Sequence, residues 1–320
     1  MRNIYKYAVL ILFVLVGTAC KKEENNNRLQ NNVIKKTLGP NLVGEKIWFS
    51  YAMGTPTDKL ASAEVVASIA GADGTGFEPY SWNTSPAGAE VPVVVTTDLT
   101  TNQATSTAVL IDTAAATLRY YYVIPEEARG KNVSFTFSSR SSSGESASFK
   151  TESYPISAMD MEKGIEVQDQ ATAYISIQDM KAYTKAEVEA GNLGSSIDLV
   201  YLYRKINGIN FGHALVAPAA SAYLQGAELP AGTSNDIKIE KQVNIRDQHL
   251  SDRQYAVFID DIDFKNLNIS NAANYVLNLN EDEGAWIETQ DGKYRAFIYI
   301  NSVDQATPGM TISMKRLTLR

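Results

Sequence analysis

Between Lys46 and Leu319, apolar and polar residues alternate mostly in twos, the period of a half-buried β-strand. Lys46-Ile47-Trp48-Phe49-Ser50-Tyr51 puts Ile47, Phe49 and Tyr51 on one face and turns Trp48 to the other. Leu60–Ile69 reads as a second strand, followed by the turn cluster 71–76, Gly-Ala-Asp-Gly-Thr-Gly. Val91–Thr96, Val109–Ile111, Leu118–Ile124 and Val133–Phe137 add further strands, and Pro125 stops one of them. Ser138–Ser143 with Gly144 reads as a hairpin turn, with Ala147–Lys150 returning. About seven short strands at this spacing predict an immunoglobulin-like sandwich.

Ser153–Gly164, with two methionines, a proline and a glycine, reads as a domain boundary. Beyond it, Ala173–Ile177 is a strand, and Thr184 with Glu187 has capping-box spacing for a short helix ending at Gly191. Ile197–Tyr203 is apolar at nearly every position, which predicts a central strand covered on both faces. Ala214–Ala217, Ile237–Ile245, Tyr255–Ile259, Tyr275–Leu279, Ala285–Glu288, Tyr294–Ile300 and Met310–Leu319 supply more strands. The fold class expected is mainly β. Two tandem β-sandwich domains, 41–155 and 156–320, are predicted, the second larger, with a short helix and long loops. Leu118–Ile124 with Val133-Ser134-Phe135 echoes Tyr294–Ile300 with Ile312-Ser313-Met314. A duplicated sandwich and two ordinary hairpins explain the echo equally well.

The amino end has a different character. Arg2 and Lys6 precede the apolar run Ala8–Val16, which is too short to span a bilayer as a helix and suits a secretory leader over 1–19. Gly17, Thr18 and Ala19 then lead into Cys20, the single cysteine, which can form no internal disulfide. This stretch resembles the lipobox of bacterial lipoproteins, departing from it at Gly17, and implies lipidation at Cys20. Lys21-Lys22-Glu23-Glu24 resembles the surface-export tag of outer-membrane lipoproteins in some Gram-negative gut bacteria. Asparagine-rich residues up to Lys36 hold too little apolar surface for a core, so 20–40 reads as a flexible tether. The address implied is the outer membrane, lipid-anchored and exposed at the cell surface.

The leader carries two of the 29 basic residues and no acid, leaving 27 against 36 acidic, a net charge of −9. That balance argues against nucleic acid and against anionic lipid as partners.

Leu118–Lys131, Ile197–Arg204, His213–Pro218 and Asp291–Ile300 resemble a tandem-β family of gut-bacterial surface lipoproteins catalogued as a domain of unknown function. The lipidated, multi-sandwich layout is also similar to accessory glycan-binding lipoproteins of starch-type uptake systems, a likeness of architecture alone.

Catalytic signatures are thin. The two histidines, His213 and His249, do not form a zinc motif, and neither a G-x-S-x-G elbow nor a P-loop occurs. His213 reads as a hydrogen-bonded strand-edge histidine before a catalytic base, and His249 as a surface residue. Asp260, Asp261 and Asp263 read as the end of the strand Tyr255–Ile259 entering a loop; Ca²⁺ binding there, at 73–76 or at 280–283 is the alternative. The expectation is no enzyme, no cofactor and no resident metal.

Phe77-Glu78-Pro79-Tyr80-Ser81-Trp82-Asn83 mixes rings with loop formers. Exposed, Phe77, Tyr80 and Trp82 form a stacking platform for sugar rings; buried, Trp82 is the core tryptophan common in sandwiches. Trp286, beside Gly284 and Glu288, is a further candidate at a loop rim. The first expectation is a non-catalytic surface binding module for glycans. A structural or adhesive protein that holds other proteins is the second, and a hydrolase using His213 or the Asp260 group comes last.

Overall fold

In a computed structural model, residues 28–206, 208–251, 255, 257–304, 306 and 308–319 are described. The expected leader 1–19, Cys20 and Lys21–Glu24, expected as an export tag, lie outside them. All named strands pair antiparallel, in two successive sandwiches.

In the first sandwich, sheet I runs β1 (Gln30–Lys35), β2 (Lys46–Gly54), β8 (Ala115–Val123), β4 (Gly76–Thr84), β5 (Glu90–Val94). Sheet II runs β11 (Ser146–Lys150), β10 (Phe135–Ser141), β3 (Leu60–Ala67), β7 (Thr105–Leu110), β6 (Thr96–Asn102). A two-strand ribbon joins β9 (Asn132–Val133) to β12 (Tyr154–Pro155). The alternation in β2 seats Ile47, Phe49 and Tyr51 against Leu118, Tyr120 and Tyr122 of β8 and Phe135 and Phe137 of β10. Phe49 meets Phe135 and Phe137 edge-on, with ring centroids 4.9 and 5.2 Å away, a favoured aromatic geometry.

In the second sandwich, sheet III runs β13 (Asp160–Gln168), β22 (Gly309–Thr318), β21 (Tyr294–Asp304), β20 (Gly284–Glu288), β18 (Lys238–Gln242). Sheet IV runs β15 (Lys181–Tyr183), β14 (Tyr174–Ser176), β16 (Leu199–Ile206), β17 (Ile209–Val216), β19 (Tyr275–Leu279). Leu199 and Tyr201 of β16 enter the core between the sheets, while Val200 and Leu202 face a second cluster with Val188 and Leu224. Strand β16 is therefore buried on both faces, as its continuous apolar run predicts. Thr184 caps the helix Lys185–Ala190 with the full capping box. A third cluster covers the outer face of sheet III with Leu250, Ile259, Phe264 and Ile269.

Four expectations need correction. Gln30–Lys35, placed in the tether, is the edge strand β1: its backbone pairs with β2, and Val33 packs on the core. Ladder hydrogen bonds do not require apolar side chains, so composition concealed it. Val91–Thr96 is not one strand, because the buried Val95 marks the crossing from β5 in sheet I to β6 in sheet II. Ser138–Ser141 continues β10 instead of turning, since a serine run pairs as well as any other once its neighbours are in register. Of the expected strand Tyr255–Ile259, the described residues Tyr255 and Val257–Ile259 join no named strand. The internal echo has no topological counterpart: β21 and β22 form a hairpin, whereas β8 and β10 lie in different sheets.

The sandwiches meet through specific contacts. Arg129 pairs with Asp160 at 2.8 Å and donates to the Ala158 and Met159 carbonyls. Leu42 enters the apolar cluster on sheet III, and a Cβ at Gly39 (φ +76°) would overlap the Phe258 ring.

Candidate functional site

The outward face of sheet I carries the aromatic residues that the core leaves out. Alternation in β2 and β8 turns Trp48, Arg119 and Tyr121 outward, and the register sets Trp48 opposite Tyr121 and Ser50 opposite Arg119. Strand β4 reaches the same face through a bulge, taking four residues from Phe77 to Ser81 where β8 takes two from Tyr120 to Leu118. Phe77 and Ser81 therefore point inward. Tyr80 and Trp82 point outward.

These side chains form a stack. The Arg119 guanidinium lies 3.5 Å from the Trp82 ring centroid and 5.2 Å from that of Trp48. Trp48 and Tyr121 stack at 6.1 Å, and Tyr80 meets Trp82 edge-on at 6.4 Å. Glu90 forms an ion pair with Arg119, and Trp82 Nε1 donates to Glu78 Oε2 at 2.7 Å. Both carboxylates thus orient the stack. Burial, then Glu78, raises the Tyr121 phenol above its ordinary range, so it stays un-ionised. Along the same strands the side chains shrink to Ala52, Gly54, Ala115 and Thr117, opening a shallow depression of ≈530 Å³. Asn32 and Asn83 flank it with amide donors and acceptors.

Of the residues expected at a binding site, Tyr80 and Trp82 lie on this face. Phe77 does not join them: it is half-buried and meets Tyr120 edge-on at 5.3 Å in the core, because the bulge begins after it. Trp286 is not at a rim. It is 7% exposed and packs on Phe264 and Phe297, since the segment that follows β18 folds over sheet III. Arg119 and Tyr121 are additions. The alternation that buries Leu118, Tyr120 and Tyr122 was the signal for both.

The other candidates resolve differently. Asp260 ends no strand; it caps the helix Asp261–Asn266, accepting from Ile262 N and Asp263 N, while Asp263 accepts from Asp260 N. Asp261 accepts from the Ser157 hydroxyl and the Ala158 N–H, so this carboxylate ties the second domain to the linker. Among the described residues, no group of three or more His, Cys, Asp and Glu side chains is placed to hold a metal. His213 is buried in the sheet with Nδ1 2.8 Å from the Tyr201 hydroxyl, and burial lowers its pKa. His249 is not a surface residue: it lies edge-on to Phe258 at 4.8 Å, half-buried.

A second depression of ≈380 Å³ has Asp198, Asn235 and Asp291 in its lining. Burial pushes the Asp198 carboxyl up from an ordinary 3.8 to about 6, against hydrogen bonds from Ile177 N and Asn235. The folded state then holds this proton more tightly than the unfolded chain does. This group's contribution to stability therefore falls as pH rises from about 4 to about 6. Chemical denaturation across that window should show the decline in the wild type and a flatter profile in Asp198→Asn.

Among the described residues, no helix is long and apolar enough to cross a membrane. Residues 157–319 match the family model described as Domain of unknown function (DUF8576), and residues 26–156 match Domain of unknown function (DUF4466). The chain is 43% identical to a DUF4466 family protein of known crystal structure from Parabacteroides merdae, with a TM-score of 0.86. That match covers 92% of this chain and 99% of the other. Two weaker likenesses are the major pilin subunit BcpA of Bacillus cereus and the Actinomyces fimbrial adhesin FimA. BcpA is 8% identical, with TM-score 0.28, over 89% of this chain and 66% of its own. FimA is 7% identical, with TM-score 0.27, over 92% and 97%. No curated protein matches.

Proposed function

We propose a binding role for this chain, which belongs to the families named for domains of unknown function DUF8576 and DUF4466. The reading is a non-catalytic module, held at the outer surface by lipid on Cys20, that binds glycans on the outward face of sheet I. The observation that carries it is the Trp48–Arg119–Trp82 stack on an open sheet, continuous with a depression flanked by amides. Aromatic surface suits the C–H faces of sugar rings, while Asn32, Asn83 and the carboxylates at the stack suit their hydroxyls. A flat, open face favours a chain laid along it over a small molecule enclosed in a pocket.

Titration with a panel of soluble polysaccharides tests this. At least one should bind, and Trp82→Ala or Trp48→Ala should weaken it about tenfold or more, roughly 1.4 kcal/mol, with the circular dichroism spectrum unchanged. Absence of binding across the panel, or binding indifferent to both tryptophans, removes the reading.

A second reading, a structural or adhesive protein, is favoured by the edge strand β5. Val91, Val93 and Val94 there are 42%, 47% and 62% exposed. An unpaired strand edge with apolar side chains is a template for a partner's strand. Cross-linking on intact cells that joins β5 to another protein would support this reading.

A further inference from the structure

Beneath the segment that covers sheet III lies a primary amine in contact with a carboxylate. Lys315 of β22 and Asp247 both have side chains with 0% exposure, and Lys315 Nζ is 2.6 Å from Asp247 Oδ2. Lys315 Nζ also donates to the Ile259 carbonyl at 2.8 Å. Asp247 Oδ1 accepts from His249 N and Leu250 N at 2.8 and 3.1 Å, and Oδ2 accepts from Ile259 N. Two residues from Asp247, the half-buried His249 ring keeps a buried Nδ1 with no hydrogen-bond partner among the described residues. An ion pair so far from water is costly to desolvate, and the same enclosure excludes the water that would compete with a nucleophile.

We propose that Lys315 and Asp247 condense within the folded domain to an internal amide, releasing one water. The Lys315 ammonium first passes a proton to Asp247 Oδ2, leaving a neutral amine beside a carboxylic acid. The amine lone pair attacks Cγ, and the C=O electron pair moves onto Oδ1. The oxyanion there is held by the His249 and Leu250 N–H groups, which already point at that oxygen. A second proton moves from nitrogen to Oδ2 directly, across the 2.6 Å contact that already joins the two atoms. The Cγ–Oδ2 bond breaks, Oδ2 leaves as water, and Oδ1 becomes the amide carbonyl. The three hydrogens of the ammonium end as one on the amide and two on the water, and no oxidant or reductant takes part. Fixed contact between the two groups replaces the encounter that separate molecules would need.

The electrostatics run the same way. Burial lowers the Lys315 pKa, outweighing the attraction of Asp247 and the more distant Asp260 and Asp263. Burial, followed by the Lys315 charge, lowers His249 to about 4, so its ring is neutral near pH 7 and adds no second positive charge beside Lys315.

Peptide mapping of the purified full chain decides the matter. Cleavage after arginine alone releases 247–253 and 296–316 as separate peptides unless the amide joins them. The expected result is one branched species, lighter by one water than the two peptides together. Asp247→Asn should yield the same species at the same mass, because ammonia then leaves in place of water. Two separate, unmodified peptides from the folded wild type overturn the proposal and leave an ion pair only.

Discussion

Asp247→Ala lowers the stability of the second sandwich by about 3–5 kcal/mol, the cost of stranding a buried charge. The alanine removes the acceptor for Lys315 Nζ and for the His249, Leu250 and Ile259 N–H groups together. Lys315 has no exposed surface through which to reach water. These contacts also pin the segment between β18 and the helix Asp261–Asn266 onto sheet III, where Leu250 and Ile259 join the cluster around Trp286 and Phe297. Its loosening exposes that apolar face. The double change Asp247→Leu with Lys315→Met recovers the part of the loss due to the stranded charge, while the three N–H groups stay without their acceptor. An internal amide in the wild type makes the single-variant loss larger, never smaller. Urea denaturation of the wild type and both variants measures this. A loss below about 1 kcal/mol in Asp247→Ala would place the pair in contact with solvent.

Phe49→Ala destabilises the first sandwich by about 3–5 kcal/mol. The ring is fully buried and touches Tyr120, Phe135, Phe137 and Tyr154, so both sheets and the ribbon strand β12 meet on it. Backbones held by ladders on both sides cannot collapse into the space left behind. Phe49→Leu, which fills much of that volume, costs less than half as much. Thermal unfolding followed by near-ultraviolet circular dichroism reads both variants, and equal, small losses would show a core that repacks freely.

Much of this architecture is legible in the chain because strand alternation reports burial directly. Ile47, Phe49 and Tyr51 point inward, and Trp48 turns outward, as their spacing requires. The both-faces burial of β16 and the Thr184 capping box are equally local signals. What escapes is set by partners distant in sequence. Strand β1 is ordered by pairing with β2, not by its own side chains. Trp286 stands beside a glycine and a glutamate, which suggests a rim, yet Phe264 and the segment before it close over the ring. Phe77 and Tyr80 look alike in sequence, and only the bulge in β4 separates core from surface. Arg119 completes the stack with Trp82 of β4, a neighbour fixed by sheet order and not by spacing. The Asp260 group looks like a cluster of free carboxylates. Two of its members instead complete a capping box, and the third holds the linker at Ser157 and Ala158.

The central claim, that the outward face of sheet I is the binding surface, is tested most directly by iodide quenching of tryptophan fluorescence. Each of Trp48, Trp82 and Trp286 is replaced in turn by phenylalanine, and quenching is measured with and without polysaccharide. Trp48 and Trp82 should account for the quenching of the free protein and lose it when a polysaccharide binds, while Trp286 stays shielded throughout. A polysaccharide that binds and leaves the quenching of Trp48 and Trp82 unchanged would contradict the claim and move the site off this face.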